Sequence, residues 1–165
     1  MLIAIISDLH DNLFNLKKFL AWSKQNKVKK IICCGDVGNA KTLKFLATNF
    51  SGDIFLVAGN AETFEVKNII KYPNIKFYQE TGVVNLAGLY LGFCHQVYKA
   101  KKIIKESDNK LNFIFYGHSH KPWLEKTKDI ILANPGNLAD ILYPASFAIL
   151  NAKNKKLELK ILSHL

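Results

Sequence analysis

Short apolar segments punctuate the chain, each closing on a polar or glycine-containing loop. Residues 2–6, 30–34 and 54–58 are three of them, and 89–94 and 112–116 follow, both rich in aromatic and aliphatic side chains. Apolar runs of this length, bounded by turn residues, predict strands. Between the first three the period changes: Leu13, Leu16 and Leu20 fall on one helical face, as do Leu43, Leu46 and Ala47. Asn12 is placed to cap the first of these helices. Strand and helix alternating in this way predict βαβ units with parallel strands. The second half reads differently. Residues 83–86 and 89–94 predict a hairpin turning at Ala87–Gly88, residues 123–127 and 130–133 a second turning at Lys128–Asp129, and residues 147–150 and 157–162 a third turning through 151–156. The pattern predicts a mixed α/β domain with parallel strands first and antiparallel additions later, and it contains no repeat, linker or low-complexity tract.

Composition narrows the picture without changing it. At 165 residues, 49% hydrophobic and 22% charged, the chain has the length of one domain, expected over 1–165, and the make-up of an ordinary globular protein. No apolar run approaches the roughly 18 residues that a membrane span needs. The opening apolar stretch lacks a basic leader and ends at Asp8 and His10, so a soluble, cytoplasmic protein with no membrane partner is expected. The formal charge of +10 suggests nucleic acid at first sight, yet all 23 basic residues are lysine and none is arginine. Arginine is the residue suited to bidentate phosphate and guanine contacts, and the lysines are scattered, which argues for a solvated surface and against specific nucleic-acid binding. Cys33 and Cys34 are neighbours whose side chains alternate across a strand, and Cys94 stands apart, so three reduced, buried thiols are expected and no disulfide.

The candidate chemistry lies at the ends of the predicted strands. Four of the five histidines, His10, His95, His118 and His120, fall at or just past a strand, as do Asp8, Asp36 and Asn60. In an open α/β sheet the carboxyl ends of parallel strands face one crevice, so residues far apart in sequence converge there. Asp8 with His10, and His118 with His120, are each separated by one residue, a spacing that on extended backbone aims both side chains the same way. Glycine precedes Asp36, Asn60 and His118, permitting a tight turn directly off each strand. Taken singly, a strand-end histidine is more often structural than a ligand. Seven convergent oxygen and nitrogen donors with no thiolate suit hard or borderline divalent metals, and seven is too many for one tetrahedral zinc but right for two ions.

Asp8-Leu9-His10, Gly35-Asp36, Gly59-Asn60, His95 and Gly117-His118-Ser119-His120 stand in an order that resembles the calcineurin-like metallophosphoesterases, and Asn134-Pro135-Gly136-Asn137 resembles their small bacterial and archaeal phosphodiesterase group. The resemblance implies a four-layer α/β/β/α sandwich of two mixed sheets flanked by helices, with a dinuclear site at one edge and no cap domain. It implies that Asp8, His10 and His120 bind one metal, that Asn60, His95 and His118 bind the other, and that Asp36 bridges them. Two divalent ions, manganese first and zinc, nickel or iron after it, would then hydrolyse a small phosphodiester by in-line attack of a bridging water held by Asp36. The histidines must be neutral to ligate, so acid should strip the metals. The chain departs from the family at Ala61, where relatives often carry a histidine or cysteine that assists the leaving group, and at Gln96, where they often carry glycine. No protein general acid is therefore identified, and good leaving groups should be preferred.

Other residues near the motifs have plainer readings. Asp11 and Asn12 fit a helix start. Asn39 fits a helix cap, with substrate contact as its alternative, and Lys121 is an exposed lysine or a phosphate contact. Phe64, Tyr98 and Lys121 are the loop side chains most open to a role in specificity. Two rival functions remain at this point: a non-catalytic metal-binding scaffold of the same fold, as in the eukaryotic retromer subunit, and a nuclease acting on polynucleotide. The complete ligand set opposes the first, and the absence of arginine opposes the second. A homo-oligomer is in keeping with the resemblance.

Overall fold

The computed structural model of the chain describes residues 1–107, 110–127 and 129–165. Four strands, β1 (Leu2–Ile6), β2 (Lys30–Cys33), β3 (Asp53–Leu56) and β4 (Ile75–Phe77), lie side by side and parallel. β10 (Ser146–Asn151) adds antiparallel to β1, and β11 (Lys156–Ile161) antiparallel to β10, giving a six-stranded sheet in the order β11-β10-β1-β2-β3-β4. The register sets Ile6 beside Cys33 and Cys33 beside Leu56. The loops carrying Asp8, Asp36 and Asn60 therefore leave the sheet at one level of one edge.

β1 to β3 read as unbroken apolar runs because they are covered on both faces, as central parallel strands usually are. Ala4, Ile6, Ile31, Cys33, Ile54 and Leu56 face helices α1 (Leu13–Gln25) and α2 (Ala40–Asn49), packing on Leu16, Phe19, Leu43 and Leu46. Ile3, Ile5, Ile32, Cys34, Phe55 and Val57 face the other way, onto Leu91, Phe93, Phe113 and Phe115 of the second sheet. Cys33 and Cys34 thus sit on opposite faces of their sheet, and all three cysteines are buried and unpaired. Burial pushes the thiols of Cys33 and Cys94 up, that of Cys94 to about 12, which leaves them unreactive.

The second sheet holds β5 (Thr81–Leu86), β6 (Leu89–Cys94), β7 (Phe113–Phe115), β8 (Trp123–Thr127) and β9 (Ile130–Asn134) in the order β5-β6-β7-β9-β8. The three predicted hairpins are present as β5–β6, β8–β9 and β10–β11. Of the second hairpin's turn, Lys128 lies outside the described residues. The antiparallel hairpins expected in the second half are joined by parallel pairing that the pattern did not specify: β7 runs parallel to both β6 and β9. β8 occupies the edge, so its hairpin partner β9 returns beside β7 in the same direction. That parallel core sends the loops after β6 and β7, with their histidines, to a shared edge. Helix α4 (Ala100–Glu106) covers the outer face through Ala100 and Ile103, packed with Cys94, Ile114 and Tyr116. The resulting order of layers is α/β/β/α. β4, α4 and the short α3 (Val66–Ile69) have three, seven and four residues, too few for a readable period. Among the described residues, no helix is long and apolar enough to cross a membrane.

Candidate metal centre

The loops that leave β1, β2 and β7 do so in a conformation the spacing did not predict. Asp8, His10, Asp36, His118 and His120 all have left-handed backbone, with φ of 52°, 42°, 53°, 69° and 58°. The pairs Asp8/His10 and His118/His120 therefore do not project from extended chain, as expected above, but from successive tight turns. Such backbone costs about 1–3 kcal/mol per residue and persists where the surroundings over-determine it. Here the chain is laced to itself: Asp8 N–H donates to Gly35 O at 3.0 Å, and the N–H groups of Leu9 and His10 both donate to Asp36 O at 2.8 and 3.0 Å. Glycine serves closeness more than turning. At Gly59 a Cβ would stand 1.9 Å from Asp36 Oδ1, and at Gly117 1.8 Å from Ser7 Oγ, while Gly35 alone of the three uses left-handed backbone, with φ of 95°.

All seven strand-end residues converge. His10 Nε2 lies 3.1 Å from His120 Nε2, and the same two atoms lie 3.8 and 3.4 Å from Asp8 Oδ1. Asp36 Oδ2 sits between the two halves, 3.6 Å from His10 Nε2 and 3.4 Å from His95 Nε2. His95 Nε2 is also 2.8 Å from Asn60 Oδ1 and 3.2 Å from His118 Nδ1. Asp8, Asp36 and His95 are buried, whereas Asn60 and His118 are exposed, so the cluster opens to solvent on the side of the second trio.

The electrostatics separate the two carboxylates. Burial raises Asp8, outweighing the help from Ser7, His95 and His120. Burial also pushes Asp36 upward, but the hydrogen bond from His95, that from Ala61 N–H at 2.8 Å and the nearby histidines bring it below the ordinary carboxylate range. His95 responds in kind: burial alone would lower it, and Asp36 holds it raised.

The donor set fits divalent metal. Asp8, His10 and His120 form one group, and Asp8, Asp36 and His95 another, in which one ligand atom from each residue lies within 4.8 Å of the others. The two imidazole Nε2 atoms, 3.1 Å apart beside the Asp8 and Asp36 carboxylates, can share one proton, and the same converging lone pairs suit a cation. His95 is oriented as a ligand should be, with Nδ1 2.8 Å from Cys34 O, a contact that turns Nε2 toward Asp36 Oδ2 and Asn60 Oδ1, where a shared cation would sit.

Some site features were not legible as functional. Glu62 accepts from the N–H groups of Val37 (3.2 Å), Gly38 (3.0 Å) and Gly59 (3.2 Å), tying the loop of Asp36 to that of Asn60. Burial raises its carboxyl despite those bonds. Asn134 donates to Gly117 O at 2.9 Å and Ser119 Oγ at 3.0 Å, and Asn137 to His120 O at 3.1 Å. These buried amides fix the histidine turn. Asp11 stands at the start of α1, its carbonyl accepting from Leu13 N–H at 2.8 Å, and its side chain braces the start of α2, with Oδ1 accepting from Asn39 N–H at 2.9 Å and from Thr42 Oγ1. Asn12 caps α1 as expected, accepting from Asn15 N–H. The Asn39 side chain caps α2, accepting from Lys41 and Thr42. Lys121 Nζ lies over the Trp123 ring, 5.1 Å from its centre. Phe64 packs against the first core, whereas Tyr98 is exposed.

Known proteins share this fold. A phosphodiesterase of Methanocaldococcus jannaschii is 26% identical over 145 residues, spanning 86% of this chain and 87% of its own. The solved structure of an archaeal phosphodiesterase superposes with a TM-score of 0.86 over 98% of this chain and 99% of the other, at 22% identity. That of Vps29 from Entamoeba histolytica complexed with zinc gives 0.64 over 96% and 90%, at 16% identity. Both structural likenesses are of fold. The calcineurin-like phosphoesterase superfamily domain matches residues 1–155, which takes in every strand-end residue described above. With the four layers, the converging loops and that match in agreement, the chain belongs to the calcineurin-like phosphoesterase superfamily.

Proposed function

We propose that the protein is a metal-dependent phosphodiesterase that hydrolyses a small phosphodiester at a site for two divalent ions. The observation that carries this reading is the position of Asp36 Oδ2, 3.6 Å from His10 Nε2 and 3.4 Å from His95 Nε2, between two clusters of donors. Asp8, His10 and His120 would hold one ion, Asn60, His95 and His118 the other, and Asp36 would be shared. When bound, such ions supply Lewis acidity to the phosphoryl oxygens and lower the pKa of a water nucleophile. The chain's own contribution is orientation and charge. The backbone N–H groups of His118 and Ala61 donate to Asp8 and Asp36 and keep those carboxylates aimed inward. Cys34 O fixes the tautomer of His95. Exposed His118 and Asn60 border the approach for substrate, and no cap is expected over it. Manganese is the favoured metal and the cytoplasm the favoured compartment.

The scaffold reading loses ground because no donor is missing from either cluster, and the nuclease reading because the charge is dispersed lysine. Hydrolysis of bis(p-nitrophenyl) phosphate by chelator-stripped protein with Mn²⁺ added back, beside Asp36→Asn, tests the proposal. Metal-dependent turnover that the variant lacks by about 10²-fold or more supports it. Absence of turnover by wild-type protein that binds Mn²⁺ returns the scaffold reading to first place.

A further inference from the structure

The segment 137–145 forms a closed loop seated directly beside the first group of donors. Asn137 donates from one amide nitrogen to His120 O at 3.1 Å and to Tyr143 O at 3.2 Å, and its Oδ1 accepts from Ile141 N–H at 3.1 Å. On the other side Ala139 N–H donates to Asp8 O at 3.0 Å. The loop is therefore fastened to the backbone of two residues of the cluster. What it presents outward is apolar: Ile141, Leu142 and Tyr143 are 45%, 84% and 37% exposed. Asp140 is its single charged side chain, and Asp140 Oδ1 is turned onto Ala145 N–H at 2.9 Å.

Leu142 is the informative residue. Its φ is 64°, a left-handed conformation that costs a non-glycine residue about 1–2 kcal/mol. At 84% exposure it recovers almost nothing by burial within its own chain. Glycine or asparagine would occupy such a turn more cheaply. A hydrogen-bonded loop thus holds a leucine in left-handed backbone, in solvent, one residue from a carbonyl that shares a donor with His120.

Resting on the phosphodiesterase reading, we infer that Leu142, with Ile141 and Tyr143, forms an apolar wall that selects phosphodiesters carrying an aromatic or bulky apolar ester group. The loop is bonded to the backbone of Asp8 and His120, which sets the wall next to the first group of donors, and the wall offers neither cation nor carboxylate to a charged headgroup.

Two diesters with the same leaving group test it: phenyl p-nitrophenyl phosphate and methyl p-nitrophenyl phosphate, assayed with the Mn²⁺-loaded full chain. The intrinsic reactivities of the two diesters cancel when wild type and variant are compared, so the change in the ratio of their kcat/KM values reports contact with the retained ester group. Wild-type protein is expected to favour the phenyl ester, and Leu142→Gly to lower that ratio about fivefold to tenfold, mainly through KM. Because glycine suits this backbone, the variant should keep its thermal midpoint. Leu159→Ser, at an exposed position on β11, should leave the ratio alone. A ratio unmoved by Leu142→Gly in an active enzyme overturns this inference while the phosphodiesterase reading stands. A variant that changes only the oligomeric state by light scattering also overturns it, in favour of a second copy seated on the loop. Wild-type protein that turns over neither ester removes the catalytic reading and this inference with it.

Discussion

The two sheets hold their shares of the site by different means. The loops of the first sheet, carrying Asp8, His10, Asp36 and Asn60, are laced mainly backbone to backbone, through Asp8 to Gly35, Leu9 and His10 to Asp36, and Asp11 to Val37. The loops of the second sheet lean on side-chain amides, with Asn134 on Gly117 and Ser119 and Asn137 on His120. Backbone lacing survives most substitutions, because every residue brings an N–H and a carbonyl. Amide fastening depends on one side chain that nothing nearby replaces. The first half of the site should therefore tolerate changes outside its donors, with Glu62 as the exception, and the second half should not.

The largest effect expected concerns chemistry on the first half. Ala61 gives Asp36 its N–H but carries no group able to protonate a leaving alcohol. Across a series of aryl and alkyl diesters, the rate should fall about 10²–10⁴-fold as the leaving-group pKa rises, and an even rate would show that another residue acts as general acid. Next comes Asn137→Ala, which releases His120 O and the 141–143 loop together. Loss of such an outer partner should weaken metal binding or activity about 10–100-fold, measured by Mn²⁺ titration and turnover. It should also cost about 1–3 kcal/mol in denaturant unfolding, because it leaves buried polar groups unpaired. Parity with an exposed substitution such as Lys121→Ala would break the comparison.

Glu62→Gln should fall below that. One amide oxygen can keep part of what two carboxylate oxygens accept, so stability should drop by about 1 kcal/mol, with a smaller loss of metal affinity than for Asn137→Ala. The smallest effect on stability has the opposite sign. The folded-state pKa of Asp8 is raised, chiefly by burial, so its ionised form is disfavoured in the fold, and metal-free protein loses stability as pH rises from 3.8 through that folded value. Asp8→Asn should abolish activity yet raise the melting temperature of metal-free protein by about 2–4 °C, seen by calorimetry. A lower melting temperature would mean that the bonds from His118 N–H outweigh burial.

Much of the site was legible because its donors sit one to five residues past apolar strands whose burial on both faces made them plain. Metal-binding side chains also come from few residue types. The supports were not legible. Asn134 and Asn137 stood out within the Asn134-Pro135-Gly136-Asn137 motif, but their task did not, because they fasten the histidine turn through bonds to partners 15 to 17 residues away. The left-handed backbone of Asp8 and His118 was hidden for a related reason, since tertiary bonds impose it. In the fold, β4 and α4 were missed for shortness, and the parallel β7–β9 pairing because a hairpin fixes only its own two strands. The acidic residue after Ala61 was visible, but its task of joining two loops depends on three N–H groups that only the folded chain brings together.

The central claim is that the two halves act as one site with two ions and Asp36 between them. Calorimetric titration of metal-free protein with Mn²⁺, with bis(p-nitrophenyl) phosphate turnover followed at each addition, tests it most directly. The account predicts two equivalents bound, turnover that climbs with the second, and Asp36→Asn protein that fails to reach it. Full activity at one equivalent, with Asp36→Asn unimpaired, would contradict it.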